Sequence, residues 1–529
     1  MNAAGDHPAV MAVRVLVAAG VREFVICAGA RNSAFVAVLA SLPEPFRCWH
    51  HFEERSAAFF ALGRIRATGR PVAVCTTSGT AVAELLPAVI EAHYSNLPLV
   101  ALTADRPRRF RGSGAPQAIE QPGIFGPYAH ALDVEQELPD PSGWQRQRPL
   151  HLNVCLDEPG ADDLAALRRG GATMEYPLDP PETILAVPAP REVCAGRLVL
   201  IGDLLPGREE EAAALAVAAG GLIWAEASSG LRDHPALKGR LLSGSETLLR
   251  KLPVQQVVRI GGVPSCRFWR DLEDRPGLPV VNIGAGNCPG LARGGMVAPS
   301  WRDDLLSDLP AGNAEAVLTA DAELRETFGM LCRQYPESEP ALVAALAAAI
   351  PRGCPVLTGN SLAVREWNLA APGGRSHRVH ALRGANGIDG NVSAFFGIAA
   401  DAPEAWAVVG DLTALYDLAA PWILPQLPPG RRRIAVISNG GGAIFRRLPS
   451  LAGFSPREKA IMENPHGTGF DSWAAQWGMA WQEATPDWLA SGGPDALTDS
   501  AAVLELRPDA EATATFWLAW ERAAAQIVV

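Results

Sequence analysis

Residues 410–445 read GDLTALYDLAAPWILPQLPPGRRRIAVISNGGGAIF, and the order of residue types in that stretch decides the fold. The apolar run AWAVV at 405–409 delivers Gly410 and Asp411 to a strand end. A helical segment with Leu412, Leu415 and Leu418 follows, and a second run, IAVI, delivers Ser438, Asn439 and three glycines. In an open parallel sheet, ligands collect at the carboxyl ends of strands, and the start of the intervening helix offers free N–H groups to an anion such as phosphate. Asp411 and Asn439, 28 positions apart, supply the hard oxygens that octahedral magnesium takes. A backbone carbonyl from Gly440 or Gly441 adds a ligand, and diphosphate oxygens complete the shell. Each motif alone also fits a helix cap and a glycine turn after a buried strand. Together, in this order, they outline a metal–diphosphate site.

The same rhythm runs outward from this stretch. Residues 1–185 contain VREFVICAGA, PVAVCTTSGTAVAELLPAVIEAHY, LPLVALTADRP and PLHLNVCLDEP. Strands alternating with helices imply a doubly wound, mostly parallel sheet. Its strand ends carry Gly29 and Arg31, Ser78 and Gly79, Asp105 and Arg106. The Pro-rich passage YPLDPPETILAVPAPREV reads as a linker. Residues 186–335 repeat the α/β pattern in RLVLIGDLLPG, GLIWAEASSG, VVRIGGVPS and LPVVNIGAG. They lack G-x-G-x-x-G and any acid–base cluster, so this region reads as structural rather than dinucleotide-binding. Residues 336–529 open with ALVAALAAAI and carry VLTGNSLAVREW, LRGANGIDGNVSAFFGIAA and the deciding stretch. A chain of 529 residues exceeds one core, and three domains, 1–185, 186–335 and 336–529, are expected. The first and third share enough rhythm to suggest two related halves.

Lys and Arg total 46 against 57 Asp and Glu, a net charge of −11, which argues against nucleic acid or an anionic membrane as a partner. Nine cysteines form no C-x-x-C pair and several sit in apolar runs, as reduced structural thiols do. The sequence shows neither a leader pattern nor an uninterrupted apolar run of about 18 residues, so a cytoplasmic protein is expected.

The pairing of Gly410-Asp411 with the Asn439 turn resembles the signature of thiamine diphosphate enzymes. Most of that superfamily have glycine after the aspartate. GDLTALYD and NGGGAIF, with Leu412 there, instead resemble the menaquinone-pathway branch, the 2-succinyl-5-enolpyruvyl-6-hydroxy-3-cyclohexene-1-carboxylate (SEPHCHC) synthase family. EERSAAFFALG and TSGTAVAELLPAVIEAHYS are similar to the same family, and the resemblance spans nearly the whole chain. It implies the three-domain α/β fold of thiamine diphosphate-dependent enzymes, with a pyrimidine-binding domain, a central domain and a diphosphate-binding domain. The implied reaction is decarboxylation of 2-oxoglutarate and Stetter-like addition of the resulting succinyl carbanion to isochorismate, with release of CO2.

Residue by residue, the resemblance places Glu54 against N1′ of the cofactor's aminopyrimidine, where a carboxylic acid promotes loss of the thiazolium C2 proton. Glu53 and Glu54 also suit a first helical turn on dipole grounds alone. Ile388, in RGANGIDGN, falls on the apolar wedge that bends the cofactor. Asp411, Asn439 and the Gly441 carbonyl fall on the ligands of Mg2+ or Mn2+. Further cofactor contacts are implied for Ser78, Gly79, Ser361, Asn386, Leu412, Ile444 and Phe445. Arg31, Arg106, Arg365 and Arg383 match positions that hold substrate carboxylates, for which guanidinium forks suit better than lysine, and Gln117 matches a substrate-contacting glutamine. Arg267 stands where the family often has lysine. Ala30 and Pro116 depart from the usual Ser and Asn, which bears on the second-substrate site and not on cofactor chemistry. Glu54 and Asp411 lie in different domains, so the pattern implies a homodimer or homotetramer with active sites between subunits. Alternatives are another thiamine diphosphate enzyme, a 2-oxoacid decarboxylase or acetolactate synthase-like carboligase, and a non-catalytic α/β binding protein. The loop RRFRGSGAPQ reads as a flexible surface loop or a lid.

Overall fold

Buried runs such as Val72–Thr76 and Leu99–Asp105, apolar on both faces, mark strands covered on two sides, and the sheets they build are parallel throughout their paired registers. A computed structural model describes residues 7–137, 139–176, 188–284, 288–298, 300–371 and 377–529. Most of the Pro-rich linker and the 185/186 boundary lie outside the described residues, as does the end of LPVVNIGAG.

The first sheet holds β1 (Glu23–Ile26), β2 (Arg47–His50), β3 (Val72–Thr76), β4 (Leu99–Asp105), β5 (His130–Val134) and β6 (Leu150–Cys155), in the order 2-1-3-4-6-5. The second holds β7 (Cys194–Ile201), β8 (Gly221–Ala225), β9 (Leu241–Leu242), β10 (Gln256–Ile260), β11 (Val280–Ile283) and β12 (Met296–Ala298), in the order 12-11-10-7-8-9. The third holds β13 (Pro355–Thr358), β14 (Arg378–His380), β15 (Glu404–Gly410), β16 (Arg431–Ile437), β17 (Ala480–Glu483) and β18 (Ala501–Leu506), in the order 14-13-15-16-18-17. Counted from its own first strand, the third sheet repeats the 2-1-3-4-6-5 order of the first, so the shared rhythm of the two halves is a shared topology. The second sheet has the strand order of dinucleotide-binding folds, while the turn after β7, GDLLPG, lacks their glycine fingerprint.

By internal packing the chain forms two units. One comprises Met1–Thr183 with Asp389–Asp401 and Asp417–Pro428; the other comprises Ile184–Ile388, Ala402–Tyr416 and Pro429–Val529. In the second unit one apolar core runs from Leu198 and Trp224 through Trp367 and Trp406 to Leu504 and Phe516, joining the second and third sheets.

The first unit is assembled around the helix Glu54–Thr68, buried from Ser56 to Arg66. It crosses the helix Asn391–Ala399 so closely that a Cβ on Gly63 would lie 2.0 Å from the Ala394 carbonyl oxygen, and one on Gly397 2.2 Å from that of Phe60. Arg64, 1% exposed, locks the crossing. Its Nε and Nη2 donate to Glu23 (2.8 and 2.7 Å), Nη2 to Asp401 (2.7 Å) and Nη1 to the Gly397 carbonyl (3.1 Å). Breaking a buried network of this kind by removing one partner costs about 3–5 kcal/mol, because a charge is left without its counter-charge.

Candidate active site

The residues expected to do chemistry lie at or just beyond the carboxyl ends of strands, where a parallel sheet gathers ligands. They form two groups, one in each unit.

In the second unit, β15 ends at Gly410 and Asp411, 2% exposed, opens the helix Asp411–Tyr416. Its Oδ1 accepts the Leu412 N–H at 2.7 Å, and its Oδ2 accepts the N–H groups of Gly440 and Gly441 at 2.8 and 2.9 Å. The carboxylate thus ties the turn after β15 to the turn after β16, bringing Asp411, Asn439 and Gly441 together. At the helix start the Leu412 N–H is taken by Asp411, and the helix has only six residues. Gly441 adopts φ +126°, and a Cβ there would meet the Glu463 carbonyl oxygen at 2.4 Å, so the turn requires glycine.

Asn439 donates through Nδ2 to both oxygens of Glu339, at 3.0 and 3.2 Å, while its buried Oδ1 has no partner among the described residues. A buried acceptor left unmatched is costly, and an anionic carboxylate beside an unmatched amide oxygen is a donor set for a hard divalent cation. The residues present fit the metal. Glu339, which resembles any acid in a first helical turn, and Glu366, whose carboxyl packs against it, were not expected from the sequence. Burial, and then the Glu339 charge, push the Glu366 carboxyl well above the usual range, and two buried carboxyls in contact hold a proton between them. His466 was also missed; its Nε2 lies 3.3 Å from Asp411 Oδ2.

Elsewhere in the second unit, Arg365 Nη1 donates to the Ser361 carbonyl at 2.5 Å, and Arg383 Nη1 donates to Asn360 Oδ1 at 2.7 Å. Asn360, 2% exposed, also donates to the carbonyls of Leu382 and Gly387, fixing the loop that carries Arg383, Asn386 and Ile388. The outer edge of Arg365 is open to solvent, yet desolvation, followed by the like charge of Arg383, lowers its pKa. Two mutually repelling guanidiniums are an arrangement that a dianion relieves. Arg267 stands apart in role, ion-paired with Asp271 at 2.8 Å on its own short helix. Ile388 is half-buried in its loop, and Ile444 and Phe445 are half-buried in the turn Ala443–Arg447.

In the first unit the two adjacent glutamates separate in role. Glu53 caps the helix, accepting the N–H groups of Arg55 and Ser56 at 3.0 Å each and the Ser56 hydroxyl. Glu54 takes no part in that cap. Its pKa is raised, chiefly by desolvation and further by Glu53 and Glu84, against its own backbone N–H, which lowers it. A half-buried carboxyl biased toward its protonated form is what an acid facing a ring nitrogen requires. The neighbouring His51, 3% exposed, is pulled down to about 4 mainly by burial and stays neutral at pH 7.

Ser78 and Gly79 follow β3, with the Gly79 N–H donating to Gln121 Oε1 at 2.9 Å. The hydroxyls of Thr77 and Ser78 are buried with no partner among the described residues. Gln117 is exposed and sits against Gly79, where a Cβ would approach its Cβ to 3.2 Å. Gln117 (φ 57°), Ser361 (φ 68°) and Asn386 (φ 60°) are among five non-glycine residues with positive φ in the described chain. Left-handed backbone at non-glycine residues concentrates at ligand-binding sites, and three of these five were already expected to be site residues.

Arg106 Nε donates to the Pro116 carbonyl at 2.8 Å, so the backbone of the departing residue, not its side chain, holds this arginine. Arg31, 7% exposed, donates to the Leu156 carbonyl (3.1 Å) and to Glu158 (3.2 Å). The loop RRFRGSGAPQ is anchored rather than loose at its start. Arg108 pairs with Asp133 and Glu137, Arg109 with Asp157, and Arg111 Nη2 donates to Asp105, Asp133 and Cys155 at 3.1, 2.6 and 3.3 Å. Asp105, Asp133 and Cys155 lie close enough to hold a metal, but that guanidinium already joins them.

Asp417, fully buried, accepts the Ser393 N–H (2.7 Å) and hydroxyl (3.0 Å), with the Ser56 hydroxyl at 3.5 Å and Arg55 Nη2 at 3.8 Å. It therefore supports the first turn of the Glu54 helix. Burial raises its pKa from 3.8 to about 6. The folded state holds the proton through that window after the unfolded chain has lost it, so this contribution to stability declines as pH rises, by about 3 kcal/mol in all. Asp417→Asn is therefore expected to gain in Tm relative to the parent between pH 4 and pH 7. Thermal melts of both proteins across that range check this; a constant Tm difference would remove the assignment.

Residues 9–124 match the family model described as thiamine pyrophosphate enzyme, N-terminal TPP binding domain. The fold is similar to that of benzoylformate decarboxylase from Polynucleobacter necessarius, with a TM-score of 0.66 over 96% of this chain and 99% of that one, at 14% identity. The matched domain and the curated relatives that follow mark a thiamine diphosphate-dependent enzyme. Among curated proteins, the chain is 41% identical over 511 residues to the SEPHCHC synthase of Akkermansia muciniphila, covering 93% of this chain and 94% of that one. It is 39% identical over 529 residues to that of Bdellovibrio bacteriovorus, covering 96% of each. The chain belongs to the SEPHCHC synthase family. Among the described residues no helix is long and apolar enough to cross a membrane.

Proposed function

We propose that this chain catalyses the thiamine diphosphate-dependent decarboxylation of 2-oxoglutarate and the addition of the four-carbon unit to isochorismate, the SEPHCHC synthase reaction of menaquinone biosynthesis. The observation that carries the reading is the 41% identity to a SEPHCHC synthase over 93% of the chain. The three sheets correspond, in this reading, to pyrimidine-binding, central and diphosphate-binding domains.

When bound, thiamine diphosphate supplies a nucleophilic carbon and an electron sink for the decarboxylation. Asp411, Asn439 Oδ1 and the Gly441 carbonyl would hold Mg2+ or Mn2+ against the diphosphate. Glu54 would hold a proton toward the aminopyrimidine nitrogen N1′, a task its raised pKa suits. Ile388 would be the apolar wedge for the cofactor, with Ser78, Gly79, Ser361, Asn386, Leu412, Ile444 and Phe445 as further contacts. Arg365 and Arg383, which donate to a carbonyl and to an amide oxygen, bind carboxylates of the two substrates with Arg31, Arg106 and Gln117.

A pair of subunits would bring the Glu54 group of one copy to the Asp411 group of the other. Phe52 and Trp422, 56% and 40% exposed and in edge-to-face contact at 4.9 Å, offer an apolar patch close to Glu54 that a second copy would cover. Light scattering is expected to return a dimer or tetramer.

The reaction is tested by following isochorismate with the purified protein, thiamine diphosphate and Mg2+, with and without 2-oxoglutarate. Consumption that requires both cofactor and 2-oxoglutarate is expected. Steady CO2 release from pyruvate, without use of isochorismate, would move the chain to another branch of thiamine diphosphate enzymes.

A further inference from the structure

Asn439 can present either end of its amide to the metal site, and a second side chain decides which. The amide nitrogen donates to both oxygens of Glu339, at 3.0 and 3.2 Å, and the amide oxygen is left buried with no partner among the described residues. Rotating the amide by half a turn would set its oxygen against a carboxylate, acceptor against acceptor, and direct two N–H donors toward the cation. Neither contact is tolerable, so the amide has one stable orientation.

Glu339 is itself held. It is 4% exposed, it is the first residue of the helix Glu339–Ala349, and its own N–H donates to Thr513 Oγ1 at 3.0 Å. Glu366, from the helix Leu362–Ala370, packs against its carboxylate. Three segments distant in sequence from Asn439 thus hold one carboxylate in place against the amide nitrogen.

We propose that Glu339 is a positioning residue for the metal–diphosphate turn: it takes the Asn439 amide nitrogen so that only the amide oxygen faces the divalent cation. The inference rests on the metal reading proposed above. Groups that orient metal ligands typically contribute 10- to 100-fold in metal affinity. Glutamine at 339 carries a donor as well as an acceptor, so it can satisfy either orientation of Asn439 and no longer selects one.

The test is calorimetric titration of Mg2+ into the full chain at saturating thiamine diphosphate. Glu339→Gln is expected to weaken Mg2+ binding about 10- to 100-fold, with KM for 2-oxoglutarate unchanged at saturating Mg2+. The double variant Glu339→Gln, Asn439→Asp reverses the polarity of the pair: the glutamine NH2 donates to the new carboxylate, whose other oxygen faces the cation. It is expected to bind Mg2+ more tightly than Asn439→Asp alone, in which the same added charge faces the Glu339 carboxylate. A merely structural role would not produce that order. Asn439→Ala serves as the check on the underlying reading. If it binds Mg2+ like the parent, the metal reading falls and this inference with it. If Asn439→Ala is weakened but Glu339→Gln binds like the parent, the metal reading stands and the positioning role of Glu339 is overturned.

Discussion

Glu54→Gln is expected to lower kcat by about 100- to 10,000-fold, the usual worth of a positioned acid–base group, while Mg2+ and thiamine diphosphate still bind. The expectation follows from how the two adjacent glutamates divide the work. Glu53 supplies the helix cap through Arg55, Ser56 and the Ser56 hydroxyl, so removing the Glu54 charge leaves the helix start intact. Glutamine is nearly isosteric but cannot hold a transferable proton, so the loss falls on chemistry rather than folding. The reciprocal change, Glu53→Gln, should cost stability first, because the carboxylate that accepts two backbone N–H groups loses its charge. Steady-state kinetics and calorimetric titration of cofactor on both variants check the division. Near-parental turnover in Glu54→Gln would end its assignment as the acid.

Asp411→Ala carries the second large expectation: Mg2+-dependent cofactor binding falls by more than about 100-fold, beyond what changes around a ligand usually cost. Two separate losses combine here. The metal loses an anionic ligand, and the N–H groups of Leu412, Gly440 and Gly441 lose their acceptor. A buried donor left unmatched costs about 1–3 kcal/mol, so Tm should fall as well, and the turn bearing Asn439 should loosen. Thermal melts with and without Mg2+ and thiamine diphosphate separate the effects. The apo protein should melt lower than the parent, and the Mg2+-dependent rise in Tm should vanish. A full cofactor-dependent rise in the variant would place the metal elsewhere.

Much of this arrangement is written locally. AWAVV, IAVI and VAVCT are short apolar runs that end in polar or glycine residues, and each became a parallel strand with its polar end at a ligand-gathering edge. Asp411, Asn439, Ser78 and Arg106 were legible because position along a strand fixes which end of the sheet a residue reaches. What was not legible is contact between segments far apart in sequence. Nothing near Glu339 announces that it will meet Asn439, and nothing near Asn360 that it will fix the loop bearing Arg383. Arg108, Arg109 and Arg111 read as loop residues because the carboxylates that hold them, Asp133, Glu137 and Asp157, come later in the chain. Glu53 and Glu54 are equivalent to any rule of helix composition, and only the path of the backbone before the helix assigns one to the cap.

The crossing of the Glu54–Thr68 and Asn391–Ala399 helices bears on how such a gene can be cut and rejoined. The first unit borrows Asp389–Asp401 and Asp417–Pro428 from the far half of the chain, and Gly63 and Gly397 are bare so that the two backbones can touch. The amino-terminal third is therefore not a detachable cassette. A polypeptide ending at Thr183 would keep a groove shaped for a helix it no longer owns, and a charged Arg64 without Asp401. A recombination joint placed between the first and second sheets, exchanging everything downstream for an unrelated partner, would inherit the same defect. Only exchanges in which the two glycine-lined surfaces travel together preserve it, so the two ends of this gene are bound to descend as one.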